Sequence, residues 1–233
     1  MIAAPASPDA ERRGADEFGA DQFCAEQLDL AARIVASLTV SGRTVAVAES
    51  LTGGSVVAEL IRIPGASLVV RGGIVAYNTA LKASLLAVPL ALLDAYGPVH
   101  PEVAAAMASG VRSATAVNGR PTDLGVATTG VAGPDPQGEA PVGLVYVAVA
   151  DAVGTTVHKH QFSGDRASIR AQATLAALAL LAEHESVAVG NVIRDSRVTD
   201  SRLTTLAQGA AVTVETSGSG SVTGPAKQRP RGK

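Results

Sequence analysis

The sequence predicts an α/β fold: a three-layer α/β/α sandwich on a mixed, mostly parallel sheet with one antiparallel hairpin. Three observations carry this. Short β-branched runs alternate with apolar residues at helical spacing through the first half of the chain, the pattern of a sheet covered by helices. Later, two strand-like runs in LVYVAVADAVGTTVHKHQ are joined only by Asp151 to Gly154, a link short enough for a hairpin. Hydrophobic residues make up 47% of the chain but aromatics only 3%, with no Trp. Ala, Val and Leu must therefore fill the core, and small side chains favour close packing of helix on sheet.

Residues 1–20 hold Ala, Pro, Asp and Gly without apolar period and are expected to be disordered. The folded domain is expected over 21–190. It opens with AEQLDLAARIVASLTVSG, where Leu28, Leu30, Ile34, Val35, Leu38 and Val40 recur at helical spacing and Ser41-Gly42 stops the helix. TVAVA then reads as a strand covered on both faces, feeding TGGSVVAELIRI, a helix by Val56, Val57, Leu60 and Ile61. SLVVRGGIVAY reads as a strand whose Gly72-Gly73 pair suggests a bulge or a close backbone approach.

Asn78 fits a cap for the helix TALKASLLAV, and after a turn at Tyr96-Gly97-Pro98 comes the helix HPEVAAAMASGVRSATAV. DLGVATTG predicts a strand that runs into a loop rich in Gly and Pro, and the hairpin follows. The last helix, DRASIRAQATLAALALLAEH, is opened by Asp165. Beyond about Asn191 the composition turns to Ser, Thr and Gly, so 191–233 is expected to be a flexible tail in which VTVET is the one strand-like run.

The formal net charge is −2 and the body, Gly42 to Ile193, is mildly acidic, so no nucleic-acid footprint is expected there. The basic end PAKQRPRGK reads as a solvated tail. Cys24 is the sole cysteine, which excludes an intrachain disulfide and a four-cysteine zinc site. The start lacks a basic-then-apolar leader and no run is long enough to span a bilayer, so the expected location is the cytoplasm with no membrane partner. The acids Glu49, Glu59, Asp94, Glu102, Asp123 and Asp135 are scattered without metal-binding spacing. Neither a metal nor a cofactor is expected.

Ser50 stands where a strand passes into a helix, the end of an open α/β sheet at which ligands bind. A nucleophile and a helix cap are both open to it on position alone. Thr52, Gly53 and Gly54 follow, and amides at a helix start attract anions, so an oxyanion or a phosphate fits beside Ser50. No histidine is near in sequence. Lys82, alone among uncharged residues in its helix, is the candidate base if a dry cleft lowers its pKa; a lysine on a wet helix face is the competing reading. Glu49, beside Ser50, is expected among the substrate-binding residues and as a supporting carboxylate that positions Lys82, and Tyr77 is expected to relay a proton or to pack. The loop TTGVAGPDPQGEAPVG, with Thr129, Gly130 and Gly133, has the composition of a ligand loop. Arg166 and Arg170, four apart on one helix face, are placed to grip a phosphate or carboxylate.

Taken in order, AESLTGG, PGAS with GGIVAYNTALKASLLAVP, HPEVAAAMASGVR, TTGVAGPDPQG with PVGLVYVAVA, and FSGDRASIR resemble the CinA carboxy-terminal-domain family, which includes the nicotinamide mononucleotide deamidases called PncC. The resemblance covers about Leu28 to Glu183. It implies an amidohydrolase of pyridine nucleotide salvage that turns nicotinamide mononucleotide and water into nicotinic acid mononucleotide and ammonia, with the small molecule as partner and a homo-oligomeric assembly. It implies Ser50 as nucleophile, with Tyr77 and Lys82 as the matching tyrosine and lysine, and Thr129 and Arg166 in substrate binding. Leu51 and His100 depart from the family pattern, as does the glycine-poor run DPQGEAP. Longer members carry a molybdopterin-binding-type domain with pyrophosphatase activity. About 27 residues precede the first helix here, so that activity is expected to be absent. The alternatives are a non-catalytic nucleotide-binding module linked to competence or DNA damage, and a hydrolase of another amide.

Overall fold

The computed structural model describes residues 30–195, with side chains as far as residue 185. The expected extension 1–20, the expected start of the first helix before residue 30 and the expected tail from 196 on, including VTVET, lie outside the described residues. Helix α1 occupies 30–41. Strand β1 is Val45–Glu49, followed by helix α2, Ser55–Ile61, and strand β2, Val70–Val75. Helices α3 (Thr79–Leu86), α4 (Leu90–Tyr96) and α5 (Pro101–Ala114) come next, then strands β3 (Leu124–Gly130), β4 (Leu144–Ala150) and β5 (Thr155–Gln161), and helix α6 (Arg166–Asp195).

The sheet order is β2-β1-β3-β4-β5. β1 pairs in parallel with β2 and β3, whereas β4 is antiparallel to both β3 and β5. Only β4 therefore runs against the rest, which is the mixed, mostly parallel sheet expected. Successive strand residues point to opposite faces, and the two faces differ in kind. Val45, Val47, Leu124, Val126, Val145, Val147 and Val149 meet Ile34 and Leu38 of α1, Val56 and Leu60 of α2, and Ile169, Leu178 and Leu181 of α6. On the other side Ala46, Ala48, Ala127, Ala148 and Ala150 meet Leu86, Leu93, Val103, Met107 and Val111 of α3, α4 and α5. Each fully buried Val or Leu contributes about 1.5–3 kcal/mol; on the alanine face the gain comes from close approach of α5.

Local signals set the element ends. The Asn78 carboxamide oxygen accepts the Ala80 amide at 2.9 Å and caps α3. His100 Nδ1 accepts the Glu102 amide at 3.3 Å, so it caps α5 in place of a serine. The Asp165 carboxylate accepts the Ser168 amide at 2.8 Å and opens α6. At Gly72-Gly73 both expected features occur: the β1/β2 register slips opposite Val45 and Ala46, and a Cβ on Gly73 would lie 3.0 Å from the Val57 side chain of α2.

Three element boundaries differ from the sequence reading. β2 starts at Val70 rather than Ser67, because Ala66–Leu68 form a 3-10 turn. Helix α4 replaces what reads as a mere approach to a turn; it is seven residues long, begins after Pro89 and has no side-chain cap. α6 continues to Asp195, into the stretch expected to have lost helical period. Among the described residues no helix is long and apolar enough to cross a membrane.

Candidate active site

Ser50 immediately follows β1 and extends its pairing, its amide donating to the Thr128 carbonyl at 3.0 Å. Strand alternation sends it to the alanine face, where α3 lies, and sends Glu49 to the valine face, toward α2. Glu49 is fully buried. Its carboxylate accepts the amides of Gly54 at 2.8 Å, Val56 at 3.2 Å and Val57 at 2.9 Å. The anion at the start of α2 is thus supplied by the chain itself, as favourable charge at the positive end of a helix.

This corrects two expectations. Glu49 neither lines the cleft nor touches Lys82. The Gly54 amide is taken by Glu49 and the Gly53 amide donates to the Ser50 carbonyl at 3.1 Å, so these two donors serve the loop rather than a ligand. Thr52 is also buried, its hydroxyl 2.7 Å from that of Thr128.

Seven of the residues singled out from sequence line one cavity of about 270 Å³: Ser50, Tyr77, Lys82, Thr129, Gly130, Gly133 and Arg166. That is close to the lower end of small-molecule sites, about 300 Å³. Lys82 comes from α3 and is 1% exposed; its Nζ donates to the Ala76 carbonyl at 2.9 Å. Burial pushes its pKa down to about 8, because removal from water penalises the charged form. Among the described residues no carboxylate pairs with it. About a tenth of it is then neutral at pH 7.

Arg166 joins two walls of the cavity. Its Nη1 donates to the Gly133 carbonyl at 2.7 Å and its Nη2 to the Tyr77 hydroxyl at 3.0 Å, which leaves the phenolic proton free to be donated. Thr129 donates its hydroxyl to the Pro98 carbonyl at 2.7 Å and so fastens β3 to the segment between α4 and α5. Arg170, expected beside Arg166, does other work. Its Nε donates to the Leu51 carbonyl and its Nη2 to the Thr52 carbonyl, each at 2.9 Å. It braces the Ser50 loop from behind and does not line the cavity.

The cavity also takes walls from Thr79, Pro98, Val99, Val131, Asp135 and Gln137. Pro98 and Val99 had no local signal, since their part depends on how α4 and α5 are joined. Asp135 and Gln137 lie in the loop whose composition marks it as a ligand loop.

Residues 27–184 match a family model described as the CinA C-terminal domain. A CinA-like protein of Frankia casuarinae is 45% identical over 148 residues, 64% of this chain and 33% of the relative. A CinA-like protein of Anaeromyxobacter sp. is 47% identical over 155 residues, 66% of this chain and 36% of the relative. The chain thus spans about a third of the length of these curated relatives. Among solved structures, the competence/damage inducible protein CihA from Agrobacterium tumefaciens is similar with a TM-score of 0.61 and 34% identity, over 67% of this chain and 93% of that one. A competence-damaged protein (CinA) superfamily protein from Escherichia coli is similar with a TM-score of 0.62 and 28% identity, over 67% and 90%.

Proposed function

The chain belongs to the CinA C-terminal domain family, and from that premise we propose that it is an amidohydrolase converting nicotinamide mononucleotide and water to nicotinic acid mononucleotide and ammonia. The observation that carries the reading is Lys82: buried, lowered to a pKa of about 8, free of any carboxylate partner among the described residues, and in the same cavity as Ser50. A lysine in that state accepts a proton near neutral pH, as a serine nucleophile requires.

In this mechanism the Ser50 hydroxyl gives its proton to neutral Lys82 while its oxygen bonds to the carboxamide carbon. The tetrahedral oxyanion receives the Leu51 amide, which lies next to the nucleophile in a residue that lines the cavity, and the Tyr77 hydroxyl proton. With Gly53 and Gly54 already engaged, the oxyanion is met at Leu51, two residues nearer to Ser50 than the glycine pair. When the intermediate collapses, the carbon–nitrogen bond breaks and ammonia leaves with the proton held by Lys82. Water then gives a proton to Lys82 and adds to the acyl-serine, releasing the carboxylate and restoring Ser50. Arg166 and the loop from Gly130 to Gly133 hold the nucleotide around the reacting amide.

The test is ammonia release from nicotinamide mononucleotide by the wild-type protein beside Ser50→Ala. Turnover that Ser50→Ala abolishes supports the reading. Turnover that survives it removes Ser50 as nucleophile. Nucleotide binding by folded wild type without ammonia release favours a binding module instead, the reading closer to the name "putative competence-damage inducible protein" carried by a relative in Desulforamulus reducens.

A further inference from the structure

Asp135 is the one carboxylate among the residues that line the Ser50 cavity. Among the described residues it has neither an ion pair nor a hydrogen bond. Its two cationic neighbours in the cavity are otherwise engaged, Arg166 with the Gly133 carbonyl and the Tyr77 hydroxyl, and Lys82 with the Ala76 carbonyl. The side chain is exposed, on a loop whose backbone is restrained. Pro134 and Pro136 flank it and restrict the backbone, and Gln137 and Ala140 close the loop behind it with two reciprocal amide–carbonyl bonds of 3.0 and 3.1 Å. Tyr77, 61% exposed, lines the same space.

An unpaired carboxylate and a phenol lining one cavity are together complementary to a permanently cationic ring, through opposite charge and through the negative face of the phenol. A neutral amide of the same shape gains nothing from either. We infer that Asp135 is a specificity-determining residue that selects substrates whose carboxamide is borne on a cationic pyridinium ring over neutral-ring analogues. This rests on the nicotinamide reading of the site and adds to it the charge state that the site demands.

The experiment compares nicotinamide mononucleotide with its dihydro form, which keeps the carboxamide, ribose and phosphate but has an uncharged ring. Dissociation constants for both are measured by calorimetry in Ser50→Ala protein, where turnover is blocked, with and without Asp135→Asn; ammonia release is measured in the wild type. A partly exposed ion pair with an aromatic contribution is expected to favour the cationic form by about fivefold. Asp135→Asn is expected to reduce that preference to less than about twofold by weakening the cationic form alone. A preference that survives Asp135→Asn overturns the inference. So does equal weakening of both forms, which would assign Asp135 to the ribose hydroxyls they share. An Asp135-dependent preference in a protein that releases no ammonia keeps the recognition and removes the hydrolysis. Folded protein that binds neither form overturns both.

Discussion

Lys82 and Glu49 are tied to the same small residue. Lys82 Nζ donates to the Ala76 carbonyl at 2.9 Å, while the Ala76 amide donates to the Glu49 carbonyl at 2.8 Å. The lysine of α3 is thus set in register with the end of β1 through one fully buried alanine, and Ser50 is the next residue along. Glu49 contributes through its backbone to the placing of Lys82, while its side chain fixes the start of α2. The candidate nucleophile and base are both held by strand-end backbone rather than by mobile loops.

Burying Lys82 costs stability in a defined pH window. Its pKa in the fold, about 8, lies below the ordinary 10.5. Above about pH 10.5 the amine is neutral in both states and the penalty vanishes; as pH falls toward 8 the unfolded chain takes up a proton that the folded chain resists. Below pH 8 the full penalty, about 3 kcal/mol, is present. Lys82→Met is therefore expected to raise stability at pH 7 by about 1–3 kcal/mol and to lose most of that gain at pH 10.5, as read by chemical denaturation at the two pH values. A variant no more stable than wild type at pH 7 would show that the amine is not desolvated.

Glu49→Gln tests the carboxylate at the start of α2. Glutamine keeps the size and one acceptor oxygen but turns an NH2 group toward amides that are themselves donors. The expected loss is about 2 kcal/mol in urea denaturation, because buried donors lose a charged partner. No loss would mean that the three amides find other acceptors.

Arg170 positions the Ser50 loop without touching the cavity, so its effect should appear in the rate and not in binding. Arg170→Ala is expected to lower kcat about 10- to 100-fold with KM within about threefold, since small displacements of a nucleophile are costly. Arg170→Lys should not restore it, because one ammonium does not reproduce a planar fork onto two carbonyls. A KM effect without a kcat effect would place Arg170 among the substrate contacts after all.

Gly110 lets α5 pass under α3. A Cβ there would stand 1.8 Å from the Leu86 carbonyl oxygen, at the last turn of the helix that carries Lys82. Gly110→Ala is expected to cost about 2–4 kcal/mol despite the better helix propensity of alanine. A neutral or stabilising result in chemical denaturation would show that α3 can move away without penalty.

The sequence shows the layers clearly because strand and helix periods differ and the caps Asn78 and Asp165 are strong local signals. Helix α4 is less legible: seven residues beginning after Pro89 give too short a pattern to separate from a turn. At the site, residues whose role follows from strand alternation are the readable ones. Val45 and Val47 already assign Glu49 to the opposite face from Ser50, so its absence from the cleft follows from period alone. The parting of Arg166 and Arg170 is not legible, because both lie on one helix face and only the position of the Leu51 and Thr52 carbonyls decides which of them is drawn away. The Pro98-Val99 wall is equally hidden, being set by the Thr129 hydroxyl reaching a carbonyl 31 residues away.

The most direct test of the Ser50–Lys82 account is the pH dependence of kcat/KM for ammonia release from nicotinamide mononucleotide between pH 6 and 9.5. With neutral Lys82 as base, the wild-type value should rise about tenfold per pH unit well below the pKa and level off above about 8. Lys82→Ala should be at least about 100-fold slower at pH 8 and lack that inflection. A wild-type profile flat across the range, or a Lys82→Ala profile that keeps the same inflection, would contradict the assignment of Lys82 as the base.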